Sequence, residues 1–138
     1  MIVLDASVMI AVLDRTDAHF PEARELFENH ADERLLAHRV TITEVLVRPM
    51  RVGRGAEAVD ALRDLGIESI DELDEPAALA SLRARSGLKL PDCCVLLAGR
   101  RLGAAVATFD DRLRQAVLEN GLIALPNEVG AGAPGRMR

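Results

Sequence analysis

Four acidic residues stand where an ordinary surface carboxylate is not expected. Asp5 closes the apolar run IVLD, and Asp110 closes the run AAVATFD. Asp92 directly precedes the apolar stretch CCVLL, and Glu44 lies inside VTITEVLVRPM, a mostly apolar segment with helical character. A carboxylate on an apolar helix costs free energy unless a cation compensates its charge. The chemistry of this chain therefore depends on which cation serves these acids.

Two kinds of cation fit the acid inside the helix. Arg48 follows Glu44 by four residues, the spacing and order of a favourable ion pair on a helix, although such pairs usually lie on solvated faces. A metal ion is the alternative, since carboxylates that share a pocket raise one another's pKa unless a cation neutralises them. Oxygen ligands without a His or Cys cluster favour Mg²⁺ or Mn²⁺, which activate water for attack on a phosphodiester.

The three aspartates also have simpler interpretations. Asp5 and Asp110 each precede a predicted helix, where Asp is a favoured N-cap. Asp92 lies in the first turn of a predicted helix, where a negative charge is stabilised by the helix dipole. Asp111 stands beside Asp110 and could share or take over its role. Glu44 has no such alternative, because it lies well inside its helix and caps nothing.

The elements that must position these acids alternate along the chain. The helix that carries Glu44 is expected to end near Arg48, because Pro49 disfavours a helical residue before it. The alternation is typical of an α/β fold with a mainly parallel central sheet, in which ligands bind beyond the carboxyl ends of the strands. Strands are predicted at residues 2–5, 35–38, 67–70, 104–110 and 122–125, with helices at 6–13, 21–30, 40–48, 56–65, 76–85, 93–102 and 112–120.

Length and composition fit one folded domain. The chain has 138 residues, of which 49% are apolar and 28% charged. No apolar run is long enough to span a bilayer, and the apolar start lacks the basic segment of a signal peptide, so we expect a cytoplasmic protein. Cys93 and Cys94 are adjacent and are interpreted as core residues. We expect a single domain over residues 1–126, with a disordered tail over 127–138 that is rich in Gly, Ala and Pro.

The charge is divided unevenly between the two parts of the chain. The net charge of −5 alone disfavours a nucleic acid as partner. Residues 1–75 carry 8 basic and 17 acidic side chains, whereas residues 76–138 carry 9 basic and 5 acidic ones. This distribution allows a basic surface beside an acidic site, and it is equally compatible with ordinary surface variation.

The four acids lie in motifs that resemble a known family. The motifs are DAS at Asp5, TEVLVRP around Glu44, LKLPDCCVLLAGRRLGA around Asp92 and VATFDDRL around Asp110. Together they resemble the PIN-domain ribonucleases, in particular the VapC-type toxins of bacterial toxin–antitoxin pairs, from about residue 2 to residue 125. The resemblance implies an α/β/α sandwich around a parallel sheet. It also implies an endoribonuclease that depends on Mg²⁺ or Mn²⁺. Our hypothesis for the mechanism is that metal-activated water attacks the phosphorus in line and leaves 5′-phosphate and 3′-hydroxyl ends.

The same resemblance assigns roles to residues. By motif position, the acidic quartet that binds the metal and catalyses the reaction corresponds to Asp5, Glu44, Asp92 and Asp110. Ser7 and Thr108 fall at positions that support the site by hydrogen bonds. Asp110 keeps the Thr-x-Asp spacing and is favoured as the fourth ligand, with Asp111 as the possible alternate ligand.

The resemblance further implies partners, namely an RNA substrate, a second copy of the chain in a homodimer and a cognate antitoxin that inserts a C-terminal segment near the site. Candidates for contacts to RNA phosphates are the arginines of the C-terminal half: Arg83, Arg85, Arg100, Arg101, Arg112 and Arg114. The three histidines, His19, His30 and His38, are interpreted as surface residues.

Other classes of protein remain open. A receiver domain would need a lysine at a later strand end, whereas the single lysine, Lys89, precedes a helix. A phosphatase with an aspartyl nucleophile would need Asp-x-Asp after the first strand, where this chain has DAS. The stronger alternative is a catalytically inactive PIN-like scaffold that binds a protein partner or RNA. Metal binding would not separate the scaffold from the enzyme, whereas turnover would.

Overall fold

Five parallel strands form the central sheet of the protein. The computed structural model describes residues 1–70 and 75–127. The strands are β1 (Ile2–Leu4), β2 (Leu35–His38), β3 (Ile67–Ile70), β4 (Ala105–Ala107) and β5 (Ala124–Leu125), and their order in the sheet is β3-β2-β1-β4-β5. Every pairing between neighbours is parallel, which confirms the predicted fold class. Residues 128–138, which make up nearly all of the predicted disordered tail, lie outside the described residues.

Helices cover both faces of the sheet. Buried side chains of β1 alternate between the faces, as the two-residue period of a strand requires. Ile2 and Leu4 pack in one core with α1 to α4, and Val3 packs in a second core with α5 to α7. The helices are α1 (Ala6–Leu13), α2 (Phe20–Asn29), α3 (Arg39–Arg51), α4 (Gly55–Asp64), α5 (Pro76–Ser86), α6 (Leu90–Leu102) and α7 (Asp111–Glu119).

The helix that carries Glu44 is longer than predicted. The expectation that it ends near Arg48 was wrong, since α3 continues through Pro49 to Arg51. Pro49 lacks only its own N–H. The helical hydrogen bonds continue after it, since the Val52 N–H donates to the Arg48 carbonyl at 3.3 Å. A proline in the last turn of a helix is therefore tolerated.

Two further boundaries differ from the prediction. The helix predicted from residue 93 begins at Leu90. Pro91 fits the first turn of a helix, because the N–H groups there make no hydrogen bond within the helix and the missing N–H of proline costs none. The strand predicted to reach Asp110 ends at Ala107. Beyond it the Thr108 hydroxyl accepts a hydrogen bond from the Asp110 N–H at 3.0 Å, which turns the chain out of the sheet.

Helix α6 forms the centre of the second core. Its residues from Cys93 to Gly99 are buried, which confirms Cys93 and Cys94 as core residues, and both thiols are free. Gly103 ends the helix with a positive φ of 60°, a conformation that favours glycine. Among residues 1–70 and 75–127, no helix combines the length and the apolar character needed to cross a bilayer.

Candidate active site

The order of the strands places a crevice beyond β1 and β4. These two strands are neighbours in the sheet, and the chain extends from β1 towards β3 on one side and from β4 towards β5 on the other. Such a switch point opens a crevice at the carboxyl ends of the strands. Asp5 directly follows β1, and its N–H donates to the Ala107 carbonyl at the end of β4 at 2.9 Å. The first acid of the chain therefore lies at this switch point.

Two hydroxyls hold the Asp5 side chain, which is only 6% exposed. Ser7 Oγ and Thr108 Oγ1 each donate to Asp5 Oδ2 at 2.7 Å. Ser7 Oγ also accepts the Phe109 N–H at 3.0 Å, so the hydroxyls tie the loop after β4 to the start of α1. Asp5 precedes α1, but its side chain does not cap that helix. Within the described residues no hydrogen bond reaches Oδ1, which leaves that oxygen available to a cation.

The neighbouring acids Asp110 and Asp111 face different surroundings. Asp110 caps α7, because its Oδ1 accepts the Leu113 N–H at 2.9 Å, and its charge also acts on Asp92. Asp111 is exposed in the first turn of α7 and lines a cavity of about 420 Å³ together with Arg85. The geometry therefore places Asp110 with the acids of the crevice.

Asp92 shows most directly that the four acids lie close together. Burial, followed by the charges of Asp5 and Asp110, raises the pKa of Asp92 to about 6. The charge of Glu44 also raises this pKa, and the charge of Lys89 lowers it. Three acids on three other segments of the chain thus act on one carboxylate in the first turn of α6. Carboxylates close enough to shift one another's pKa repel one another unless a cation lies between them.

Glu44 lies at the rim of the same crevice, on α3. Although its side chain is largely exposed, desolvation is the main cause that raises its pKa, followed by the charge of Asp5. The cation whose charge opposes this shift is Lys89. Arg48, the partner considered from the sequence, acts instead on Asp14. Within the described residues no ion pair joins Glu44 to Arg48.

The donors in the crevice suit a hard divalent cation. All four acids offer carboxylate oxygens, the ligands that Mg²⁺ and Mn²⁺ prefer. Thr41 lies one turn before Glu44 on the same face of α3, and its side chain is 1% exposed. Its hydroxyl has no hydrogen-bond partner among the described residues. Buried hydroxyls are normally paired, so this one is available to an ordered water.

Comparison with known proteins places this arrangement in a family. A model of the PIN domain matches residues 2–117, which is most of the chain. The chain belongs to the PIN-domain family. The comparison with curated protein sequences gives no match.

Solved structures of other proteins share the fold of this PIN domain. The Mycobacterium tuberculosis toxin VapC20, described as cleaving the sarcin–ricin loop, is 18% identical with a TM-score of 0.67, over 84% of this chain and 95% of its own. A toxin–antitoxin complex from Klebsiella pneumoniae is 21% identical with a TM-score of 0.66, over 80% and 87%. FitAcB from Neisseria gonorrhoeae is 16% identical with a TM-score of 0.65, over 90% and 96%.

The candidate RNA-binding arginines are dispersed over the PIN domain. Arg100 and Arg101 lie in the last turn of α6, about 12 Å along the helix axis from Asp92. Arg83 donates to the Leu88 carbonyl at 2.8 Å and so supports the loop before α6. Arg85 and Arg112 line the cavity beside Asp111, and Arg114 lies farther along α7.

Sequence reasoning missed two residues near the site of this PIN domain. Lys89 was considered only as a mark of another protein class, yet its charge acts on both Glu44 and Asp92. Its signal in the sequence was its position three residues before Asp92, one helical turn away. His38 was interpreted as a surface residue, and this was wrong, since it is 8% exposed and hydrogen-bonded at the end of β2. Neither the tautomer of His38 nor its contact with Glu75 could be predicted from the residues near His38 in the sequence.

Proposed function

We propose that this PIN domain is a metal-dependent endoribonuclease and the toxin of a toxin–antitoxin pair. In this proposal Asp5, Glu44, Asp92 and Asp110 hold Mg²⁺ or Mn²⁺ and Asp111 does not. The observation that carries the proposal is the convergence of four acids from four segments of the chain at the switch point of the sheet. The pKa of Asp92 supports it, because burial and then the charges of the other three acids raise that pKa. A site of this charge is costly for the free protein and well suited to a cation.

In this proposal the residues of the crevice have different roles in metal binding and in contact with the substrate. When bound, the divalent ion supplies the positive charge that activates water and stabilises the leaving oxygen of the phosphodiester. Ser7 and Thr108 hold Asp5 Oδ2, so that Asp5 would offer its other oxygen to the ion in one fixed orientation. Asp92 must lose its proton before it can act as a ligand, so the affinity of the metal-free protein for the ion should fall as the pH drops below about 6. Lys89 offsets part of the negative charge of Glu44 and Asp92 and is a candidate to contact a substrate phosphate.

The proposed substrate and partners rest on the family and on the surface beside the site. VapC20 is described as a toxin that cleaves the sarcin–ricin loop, and another structural neighbour is a toxin–antitoxin complex. A groove of about 560 Å³ adjoins Glu44 between α1, α3 and α4, with Ile10, Val45 and Val52 in its apolar lining. This groove could receive a segment of an antitoxin. A homodimer and a cytoplasmic location complete the proposal.

A cleavage assay on total cellular RNA tests the enzymatic activity. Wild type should give discrete fragments with 5′-phosphate ends in the presence of Mg²⁺ or Mn²⁺ and none with a chelator. Asp92→Asn should lose this activity, because the amide keeps the shape and removes a ligand charge. Asp111→Asn is the matched control, since Asp111 also lies in the first turn of a helix and should be dispensable.

The outcomes of this assay separate the two candidate functions. Equal cleavage by wild type and Asp92→Asn would place the activity elsewhere or in a contaminant. No cleavage by a folded wild-type protein freed from any bound antitoxin, on RNA from several sources, would favour the inactive scaffold.

A further inference from the structure

His38 lies at the same edge of the sheet as the acids, at the end of β2. Its Nδ1 accepts the Val40 N–H at 3.0 Å, so the side chain caps the N-terminus of α3. An imidazole is an unusual N-cap, because Ser, Thr, Asp and Asn are the preferred residues there. Helix α3 is the helix that carries Glu44, six residues after His38.

The other ring nitrogen of His38 reaches a second helix. Nε2 lies 3.1 Å from each carboxylate oxygen of Glu75, the residue that precedes α5. Glu75 does not use its side chain to cap α5, so its carboxylate is committed to His38. Because Nδ1 accepts a hydrogen bond, Nε2 carries a proton and donates it to Glu75. The neutral ring with its proton on Nε2 thus joins the N-termini of α3 and α5.

Cys94 of α6 completes a cluster that has the composition of a metal site. The Cys94 thiol, His38 and the Glu75 carboxylate have ligand atoms within 4.8 Å of one another. The hydrogen bonds oppose metal binding, however. A metal on Nε2 would need the proton on Nδ1, where it would face the Val40 N–H. Burial raises the pKa of Cys94 to about 11, so the thiol keeps its proton.

The cluster therefore has a mechanical consequence for the acidic site. Cys94 lies two residues after Asp92 on α6, and its buried thiol lies against the His38–Glu75 pair. We propose that His38 is a positioning residue, which fixes the start of α3 against α5 and α6 and thereby sets the place of Glu44 relative to Asp92. This inference rests on the proposed function only in taking Glu44 as a metal ligand. The proposal that His38 fixes the start of α3 does not depend on metal binding.

The proposed effect of His38 on the position of Glu44 is tested by measuring the affinity of the full chain for Mn²⁺ by titration calorimetry at pH 7.5. His38→Ala and Glu75→Ala should each weaken Mn²⁺ binding about 10-fold, the lower range for residues that orient ligands. Glu75→Gln should stay within about twofold of wild type, because its amide oxygen still accepts the Nε2–H. His30→Ala is the matched control, since His30 pairs with Glu33 at 2.9 Å before the opposite end of β2. It should leave the affinity for Mn²⁺ unchanged.

Amide hydrogen exchange without metal gives an independent readout. His38→Ala should speed exchange of the Val40 amide about 10-fold, as expected for the loss of an N-cap, and spare the first turn of α7. His38→Asn should restore protection at Val40, because its oxygen can accept that N–H, without restoring Mn²⁺ affinity. If wild type binds no Mn²⁺, the proposed metal site fails and the exchange data alone decide whether His38 fixes α3.

Three results would overturn the inference. One is unchanged exchange at Val40 in His38→Ala. Another is normal Mn²⁺ affinity in both His38→Ala and Glu75→Ala while wild type binds. The third is stoichiometric Zn²⁺ binding to wild type that Cys94→Ser abolishes, which would make the cluster a metal site.

Discussion

Replacing Asp92 by Asn should stabilise the metal-free protein at alkaline pH. The carboxylate of Asp92 is surrounded by like charges, and its pKa is raised from 3.8 to about 6. Because the folded-state pKa lies above the unfolded one, ionising Asp92 costs stability. The cost is absent below about pH 3.8, grows as the pH rises through 6 and is complete above it. Asn has the same shape and never carries this cost.

The size of the effect follows from the shift. A difference of about 2.2 pKa units corresponds to about 3 kcal/mol for a fully buried group. Asp92 is only partly buried, so solvent screening reduces the expected gain to about 1–2 kcal/mol. At pH 8 Asp92→Asn should therefore be more stable than wild type by that amount, and the two should converge near pH 4.

Urea denaturation with a chelator, at several pH values between 4 and 8, measures this difference. Asp111→Asn is the control for losing a carboxylate in the first turn of a helix. It should lower stability by about 0.5 kcal/mol through the helix dipole, with the opposite sign. Saturating Mg²⁺ should reverse the order, since a ligand at 100 times its Kd stabilises wild type by about 2.7 kcal/mol. A destabilised Asp92→Asn at pH 8 without metal would refute the idea that the acids repel one another.

Three further predictions concern the surroundings of the site. Thr108→Val keeps the shape but removes the hydroxyl that holds Asp5, and it should cost about 2 kcal/mol in urea denaturation; a loss below about 0.5 kcal/mol would contradict the hydrogen bonding. Gly99→Ala should cost about 1–3 kcal/mol in thermal unfolding, because the new Cβ would lie 2.7 Å from Val106 Cγ2; an unchanged Tm would show that α6 can shift away from β4. The buried Cys94 thiol should react with a disulfide reagent at pH 8 far more slowly in the native protein than in urea, and equal rates would exclude its burial.

The sequence was sufficient to predict the order of the elements. Short β-branched strands such as Ile2–Leu4 and helices closed by glycine at Gly103 carry local signals, and these agree with the fold. The end of α3 was predicted wrongly. Proline disfavours a helical conformation at the preceding residue, but this effect is tolerated when the proline lies in the last turn of a helix, as Pro49 does. The strand predicted to reach Asp110 ends early because the Thr108 hydroxyl, rather than a neighbouring strand, accepts the Asp110 N–H. Such competition depends on geometry that a periodic pattern does not contain.

The candidate site was predictable only in part. Each of the four acids stood out by its position after a strand or inside an apolar helix. Their mutual approach depends on strand order, which brings β1 beside β4 across about 100 residues of chain. The role of His38 depends on Glu75, which lies on another helix and has no local relation to it in the sequence. Contacts of this kind become visible only in the folded molecule.

Anomalous diffraction from crystals of the wild-type protein grown with MnCl₂ at pH 7.5 is the most direct test of the central claim. The account predicts an anomalous peak in the crevice beyond β1 and β4, contacted by Asp5 and Asp92 and bordered by Glu44 and Asp110. The same peak should be absent from Asp92→Asn and present in Asp111→Asn. A crevice without Mn²⁺ in the wild-type crystals, or Mn²⁺ bound only at Asp111 or at the His38–Glu75–Cys94 cluster, would contradict the account.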